Sequence, residues 1–160
     1  MYATIDSRVS GSHTCTVLPA SATAGDRPSA STAAHEWTLP HHPEAAGIAR
    51  RLTLAALRAW NVGEEAANQV VLAVSELVTN AVEHALPPVA LHLAQPCGHR
   101  LLRIEVTDGG PARQPGAWTS SCEPDEHGRG SMIVDFMAAA HGTRLTGSRT
   151  THWADLPVAA

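Results

Sequence analysis

Residues 76–84 read Glu-Leu-Val-Thr-Asn-Ala-Val-Glu-His and are the most informative stretch of this 160-residue chain. Apolar residues recur here and on both sides at helical spacing, which predicts a helix over residues 64–85. At about 100° per residue, Glu76, Asn80 and His84 lie in one narrow stripe along that helix. Polar side chains that border a packed apolar face require partners, so the stripe is a candidate site.

The stripe has two interpretations. Asn80 offers a neutral carbonyl oxygen, which suits Mg²⁺ carried in with phosphates. Glu76, one turn earlier, can accept a proton from a water or hydroxyl that attacks a terminal phosphate. The alternative is a solvated helix face whose polar side chains bond one another at i, i+4 spacing. Residues 76–84 alone do not decide between the two.

The rest of the chain predicts the order strand, helix, helix, strand, strand, loop, helix, strand, strand. The predicted bounds are residues 35–40, 44–60, 64–85, 89–94, 101–107, 112–127, 131–140, 143–146 and 151–156. This order predicts an α/β (α+β) two-layer sandwich, in which a mixed, mostly antiparallel sheet is covered on one face by about three helices. Residues 1–34 are poor in large apolar side chains and predict a disordered tail, so the domain is expected to span residues 35–157.

The composition excludes several classes of function. The formal net charge is -4, which argues against a basic nucleic-acid-binding surface. The 11 basic residues are all Arg, so the phosphate-binding Lys of a P-loop is excluded. Three separated Cys and ten scattered His predict neither a disulfide scaffold nor a chelating metal site. Because no apolar run approaches the roughly 18 residues needed to span a bilayer and no signal-peptide pattern is found, we expect a soluble, cytoplasmic protein that does not bind membranes.

Two glycine-containing motifs add to the stripe. Asp108-Gly109-Gly110 follows a predicted strand; an ionised Asp108 can accept from an exocyclic amine such as that of adenine, and the glycines let a flat base approach. Taken alone, Asp-Gly-Gly is also a common turn. Gly128-Arg129-Gly130 opens a predicted helix, whose free amides can bind phosphate while Arg129 adds a charge-assisted contact. The three motifs in this order are far more specific than any one alone.

The combination resembles the GHKL superfamily, which has the histidine-kinase and Hsp90-like (Bergerat-type) ATP-binding fold. Within it, the chain looks like the small anti-sigma-factor serine protein kinases and their stand-alone ATP-binding relatives. The resemblance covers roughly residues 36–156 and is most specific at residues 76–80. The residues that carry it are 76–84, 106–111, 127–130 and 151–156.

The resemblance implies ATP and Mg²⁺ as cofactors. By it, Asn80 holds Mg²⁺, Glu76 acts as general base, Asp108 reads the adenine amine and Gly110 lets the base seat. It also implies that residues 128–130 border the phosphates beneath a lid formed by residues 112–127. The predicted nucleotide-binding residues are Asn80, His84, Asp108, Gly110, Gly128, Arg129, Gly130 and Thr151.

The function implied is that of a serine/threonine kinase that phosphorylates a small antagonist protein and holds a sigma factor, with a possible homodimer. An alternative is a nucleotide-dependent interaction module with little or no kinase activity, in which ATP selects a partner-binding state. A third interpretation, a histidine-kinase catalytic domain acting in trans, lacks a companion phospho-acceptor helix in this chain.

The chain departs from the pattern of these small kinases at two places. Ser131 follows Gly128-Arg129-Gly130, where relatives usually carry an apolar residue. Residues 147–150 read Gly-Ser-Arg-Thr, where relatives commonly carry Gly-Gly-Lys-Thr, and either Thr150 or Thr151 can serve the nucleotide. His141-Gly142 is expected to keep the turn after the third helix. Because Glu76, Asn80 and Asp108 are all present, we expect the departures to weaken turnover more than binding.

Overall fold

The computed structural model describes residues 32–96, 100–112 and 129–158. These residues form five strands and three helices. In chain order the elements are β1 (Thr32–Leu39), α1 (Ala45–Ala59), α2 (Glu64–His84), β2 (Val89–Pro96), β3 (Leu101–Asp108), α3 (Arg129–Met137), β4 (Ala140–Thr146) and β5 (Arg149–Pro157). Strand β1 begins at Thr32, three residues before the predicted start of the domain. Residues 1–31 of the predicted tail and residues 113–127 of the predicted lid lie outside the described residues.

The strands form one open sheet in the order β1-β2-β3-β5-β4. All four pairings between these described strands are antiparallel, so the predicted two-layer fold is confirmed and its sheet is antiparallel throughout. Strand β3 lies in the centre with β5 beside it, and their register places Asp108 directly opposite Thr150. The end of β3 therefore meets the start of β5 at one end of the sheet.

One face of the sheet packs against the helices. Along β3, Leu102, Ile104, Val106 and Asp108 are buried and alternate with more exposed residues. This period of two places the four buried side chains on the helix side of the sheet. The largest group of other core residues comes from α2, whose buried positions recur at helical spacing. They are Ala67, Val70, Ala73, Val74, Leu77, Val78, Ala81 and Val82.

Helix α2 has clear start and stop signals. Gly63 is its extended N-cap residue, and Glu64 and Glu65 in the first turn interact favourably with the helix dipole. The helix ends at His84, because Pro87 and Pro88 cannot continue it. The position of this C-terminal end matters for function, since it lies beside the end of β3.

The prediction was wrong at the end of the third helix. Helix α3 ends at Met137, and His141 and Gly142, predicted as a turn, lie within β4. The reason is tertiary pairing, since β5 offers backbone partners as far as Asp155, which faces Ala140 and accepts a hydrogen bond from the Ala139 N–H at 2.8 Å. Pairing with a neighbouring strand overrides the helix propensity of the alanines that follow Met137.

None of the three helices in the described part of the chain has the length and apolar character needed to cross a membrane.

Candidate functional site

A cleft lies where the C-terminal end of α2 meets the end of β3 and the hairpin of β4 and β5. Its volume is about 430 Å³, which falls within the range of small-molecule sites. Polar side chains from α2, β3 and β5 converge on it beside a few apolar ones. The described residues that line it are Asn80, His84, Ala85, Asp108, Pro111, Leu145, Thr150 and His152.

Asp108 is the most deeply buried charged group of the cleft. It is only 1% exposed. Its Oδ1 atom accepts a hydrogen bond from the Gly110 N–H at 2.8 Å. Its Oδ2 atom lies 3.7 Å from His152 Nε2, too far for a hydrogen bond, and accepts none from the other described residues. A buried carboxylate has about four acceptor sites, so Oδ2 is positioned to accept from a ligand.

Backbone hydrogen bonds fix the Asp108 segment to the end of α2. The Leu86 N–H donates to Gly110 O at 2.7 Å, and the Gly109 N–H donates to Leu86 O at 2.6 Å. The Ala112 N–H donates to His84 O at 2.9 Å, next to a bridge between Ala85 and Pro111. These contacts hold the two elements that carry Asp108 and His84 in one fixed relation.

In the structure, Gly109 and Gly110 are required for a reason other than the one predicted. A Cβ on Gly109 would lie 2.2 Å from Pro87 O, and a Cβ on Gly110 would lie 2.5 Å from Ser148 O. Gly110 also has a φ of +94°, a backbone conformation that residues with a side chain rarely adopt. The missing side chains therefore make room for neighbouring backbone. This close approach positions Asp108 and does not require a base to be present.

The polar stripe on α2 is only partly in the cleft. Asn80 and His84 line it, whereas Glu76, one turn earlier, is not among the described residues that do so. Glu76 is half-buried on the same helix. His84 also lies beside a carboxylate, with 3.6 Å between its Nε2 and Glu83 Oε2. The structure thus brings together Asn80, His84 and Asp108, and it leaves Glu76 outside this end of the site.

Thr150, and not Thr151, lines the cleft. The Thr151 hydroxyl lies 2.8 Å from the Thr107 hydroxyl, and these two residues are opposite each other across β3 and β5. Both belong to the odd-numbered positions that face away from the helices. Because side chains alternate along a strand, Thr150 and His152 face the cleft while Thr151 faces the other side of the sheet.

Sequence reasoning missed three cleft residues with informative side chains: His152, Leu145 and Pro111. His152 could have been predicted from the alternation of side chains along β5. Ala154 and Leu156 are buried on the helix side of the sheet, and His152 lies on that same side. Leu145 pairs with Thr150 across the hairpin, so its inclusion depends on the register of β4. That register cannot be obtained from local patterns.

The predicted phosphate-binding motif is described only in part. Arg129 and Gly130 form the first residues of α3, which confirms that a helix begins at this motif. Gly128 and the predicted lid lie outside the described residues. The contacts predicted for these three positions stay predictions.

The oxygen donors present are compatible with Mg²⁺. Asn80 places a side-chain amide in the cleft, and its oxygen is a hard donor of the kind that Mg²⁺ accepts. The described residues contain no group of three or more His, Cys, Asp or Glu that could hold a metal ion by themselves. A magnesium ion bound with a nucleotide needs no such group, because phosphates and waters supply most of its ligands.

Comparisons with known proteins agree with this fold. A search among curated protein sequences gives no match. Among solved structures, the RsbU and RsbW domains of Rv1364c from Mycobacterium tuberculosis are similar in fold, with a TM-score of 0.59 and 19% sequence identity. The match covers 78% of this chain and 32% of the other chain, so this chain spans only about a third of that protein's length. The sequence profile of the histidine kinase-like ATPase domain matches residues 39–151. The chain therefore belongs to the histidine kinase-like ATPase domain family.

Proposed function

We propose that this protein is an ATP-binding regulator that acts as an anti-sigma-factor serine/threonine kinase in the cytoplasm. It phosphorylates a small antagonist protein and sequesters a sigma factor. Membership of the ATPase-domain family implies ATP binding, and the fold similarity to the RsbU and RsbW domains of Rv1364c supports this regulatory class. The observation that carries the proposal is the buried Asp108 carboxylate, which opens onto a cleft shared with Asn80 and His84.

In this proposal, different residues recognise the base and carry out the chemistry. Asp108 Oδ2 accepts a hydrogen bond from the exocyclic amine of adenine, while Ala85, Pro111 and Leu145 provide apolar surface for the ring. Asn80, which lines the same cleft, is the residue that would hold Mg²⁺ beside the phosphates. Mg²⁺ bound there would neutralise negative charge on the phosphates of ATP.

In the reaction, a serine Oγ of the antagonist forms a bond to the γ-phosphorus, and the bond from that phosphorus to the β–γ bridging oxygen breaks. ADP leaves with the electron pair of the broken bond. The carboxylate of Glu76 accepts the proton of the serine hydroxyl. Positioning and charge neutralisation supply most of the acceleration, as in phosphoryl transfer generally.

One observation favours a second function, a nucleotide-dependent interaction module with weak catalysis. Glu76 is not among the described residues that line the cleft. In that case ATP binds at the Asp108 end and selects a conformation that a partner recognises, because a ligand shifts the population toward the state it binds better.

Titration calorimetry with Mg-ATP tests the nucleotide site. We expect Asn80→Ala to abolish measurable Mg-ATP binding, because the variant loses a cleft oxygen that supports the metal and the phosphates. Asn68→Ala is the matched control, since Asn68 is an exposed residue of the same helix. Equal Mg-ATP affinity in the Asn80 variant and the control would contradict the assignment.

Phosphotransfer distinguishes the kinase from the module. Labelled ATP is incubated with the protein and an antagonist, and transfer to Ser or Thr is measured. We expect transfer by the wild type and its loss in Glu76→Ala, which should retain ATP binding. Glu65→Ala, at an exposed position in the first turn of α2, serves as the control. Transfer by Glu76→Ala would remove this residue as the base, and no transfer by the wild type would favour the module.

A further inference from the structure

The side chains of His152 and Asp108 lie side by side at the mouth of the cleft. Its Nε2 atom lies 3.7 Å from Asp108 Oδ2, and both side chains line the cleft. The Asp108 side chain is only 2% exposed, whereas that of His152 is 40% exposed. A ligand that enters the cleft therefore meets His152 first and the carboxylate behind it.

Asp108 favours one tautomer of His152, and Thr143 is compatible with that tautomer. Thr143 lies opposite His152 on β4, and its hydroxyl is 3.1 Å from Nδ1. On the other side of the ring, Nε2 faces the Asp108 carboxylate, which favours a hydrogen on that nitrogen. With the hydrogen on Nε2, Nδ1 accepts a hydrogen bond from the Thr143 hydroxyl. The cleft thus presents an N–H donor beside a carboxylate acceptor.

We propose that His152 is a base-specificity residue, whose Nε2–H donates to the ring nitrogen next to the amine that Asp108 Oδ2 binds. The proposal rests on the proposed nucleotide-binding function. An adenine edge offers the complementary pattern, with an amine donor beside a nitrogen acceptor. The amine meets the acceptor on Asp108, and the ring nitrogen meets the donor on His152.

Where the ring nitrogen is N1, the pair discriminates against 6-oxopurines at both positions; where it is N7, only the position facing Asp108 is mismatched, because guanine also has an acceptor at N7. The Watson–Crick edge of guanine presents an oxygen acceptor where adenine has its amine and an N–H donor where adenine has N1. Acceptor then faces the Asp108 carboxylate, and donor faces the His152 N–H. A ligand that leaves two buried polar groups of the site unpaired is rejected more strongly than a ligand that leaves one unpaired.

Calorimetry with ATP, 1-deaza-ATP and 7-deaza-ATP tests the proposal in the full-length protein. In the wild type, we expect one of the two analogues to bind roughly three- to tenfold more weakly than ATP, as for loss of one hydrogen bond. In His152→Val, ATP should weaken by a similar factor and the difference between ATP and that analogue should disappear. His152→Gln, which keeps an N–H donor, should restore part of the difference. His141→Val is the control, because His141 lies on β4 beside Asp135 and does not line the cleft.

The outcomes separate this inference from the proposed function. If His152→Val is folded by circular dichroism and still distinguishes ATP from the deaza analogues as the wild type does, the role of His152 is wrong. Equal affinity of the wild type for ATP and both analogues overturns it as well. Absence of ATP binding by the wild type, or an unchanged ATP affinity in Asp108→Asn, contradicts the nucleotide site itself.

Discussion

The Asp108 end of the cleft and the region formed by α3 and β4 are built very differently. Asp108 is almost fully buried, and its segment is fixed to the end of α2 by three backbone hydrogen bonds between residues 109–112 and 84–86. In the second region, Phe136 is 92% exposed and Leu145 is 74% exposed. Strand β4 has only Gly142 at intermediate exposure, and the rest of the strand is exposed.

This difference separates the part that we propose to recognise a base from the part that surrounds it. The Asp108 end is held by packed β-strands and by backbone contacts that leave no space for side chains. Among the described residues of α3 and β4, Leu145 alone lines the cleft, and it belongs to an edge strand with little burial. We therefore expect substitutions at the Asp108 end and in the core beneath it to affect stability far more than those in α3 and β4.

The largest contrast should come from Leu91→Ala and Phe136→Ala. Leu91 is fully buried in β2, so its truncation should lower the free energy of unfolding by roughly 2–5 kcal/mol. Truncation of Phe136 removes an exposed ring and should change the free energy of unfolding by less than about 0.5 kcal/mol. Urea unfolding followed by circular dichroism measures both. Similar losses in the two variants would show that α3 and β4 pack more tightly than described.

Gly109→Ala should produce the next largest loss. Its Cβ would lie 2.2 Å from Pro87 O and 2.7 Å from Leu86 O, and these backbone atoms cannot move without disturbing the end of α2. We expect a loss of roughly 3 kcal/mol, the upper part of the range for overpacking. The matched control is Gly47→Ala in α1, where the new methyl group would meet only Arg side chains at 3.7 and 3.8 Å.

The control variant, Gly47→Ala, should be more stable than the wild type. Alanine favours the helix over glycine by about 0.5–1 kcal/mol, so Gly47→Ala should raise the midpoint of thermal unfolding. A Gly109→Ala variant as stable as the wild type would refute the close backbone approach. It would also return Gly109 to the role first predicted, that of making room for a ligand.

Much of this arrangement could be predicted from the sequence, because strong periodicity marks its elements. Helix α2 and strands β2 and β3 were predicted close to their observed bounds. The polar stripe also led to Asn80 and His84, since helical spacing alone places them on one side. Asp108 was identified by its position between a strand and two glycines.

The remaining features depend on tertiary contacts. Thr150 and Thr151 have the same chemistry, and only the phase of β5 shows which of them faces the cleft. Gly109 and Gly110 were predicted to make room for a ligand. Local sequence patterns do not show that the backbone of Leu86, Pro87 and Ser148 lies against them. The end of α3 was extended too far because the pairing of β4 with β5 is a long-range interaction.

The smallest effect expected is on the outer face of the sheet. Arg103 and Asp155 form two hydrogen bonds, of 2.7 and 2.6 Å, across β3 and β5. Arg144 on β4 forms a longer contact, with 3.7 Å between its guanidinium Nη2 and Glu105 Oε1. Double-mutant cycles to alanine should give a coupling of about 0.5–1 kcal/mol for the first pair and near zero for the second, since both are partly exposed. Equal couplings would contradict the difference between the sheet centre and β4.

The central claim is that the Asp108 carboxylate reads the amine of a base. Calorimetry of wild type and Asp108→Asn with ATP and with purine riboside triphosphate, which lacks the amine, tests it most directly. We predict that the substitution weakens ATP binding roughly 10- to 100-fold, the effect of a hydrogen bond to a charged group, and changes the affinity for the amine-free analogue far less. Equal weakening of both nucleotides, or an unchanged ATP affinity in a folded Asp108→Asn protein, would contradict the claim.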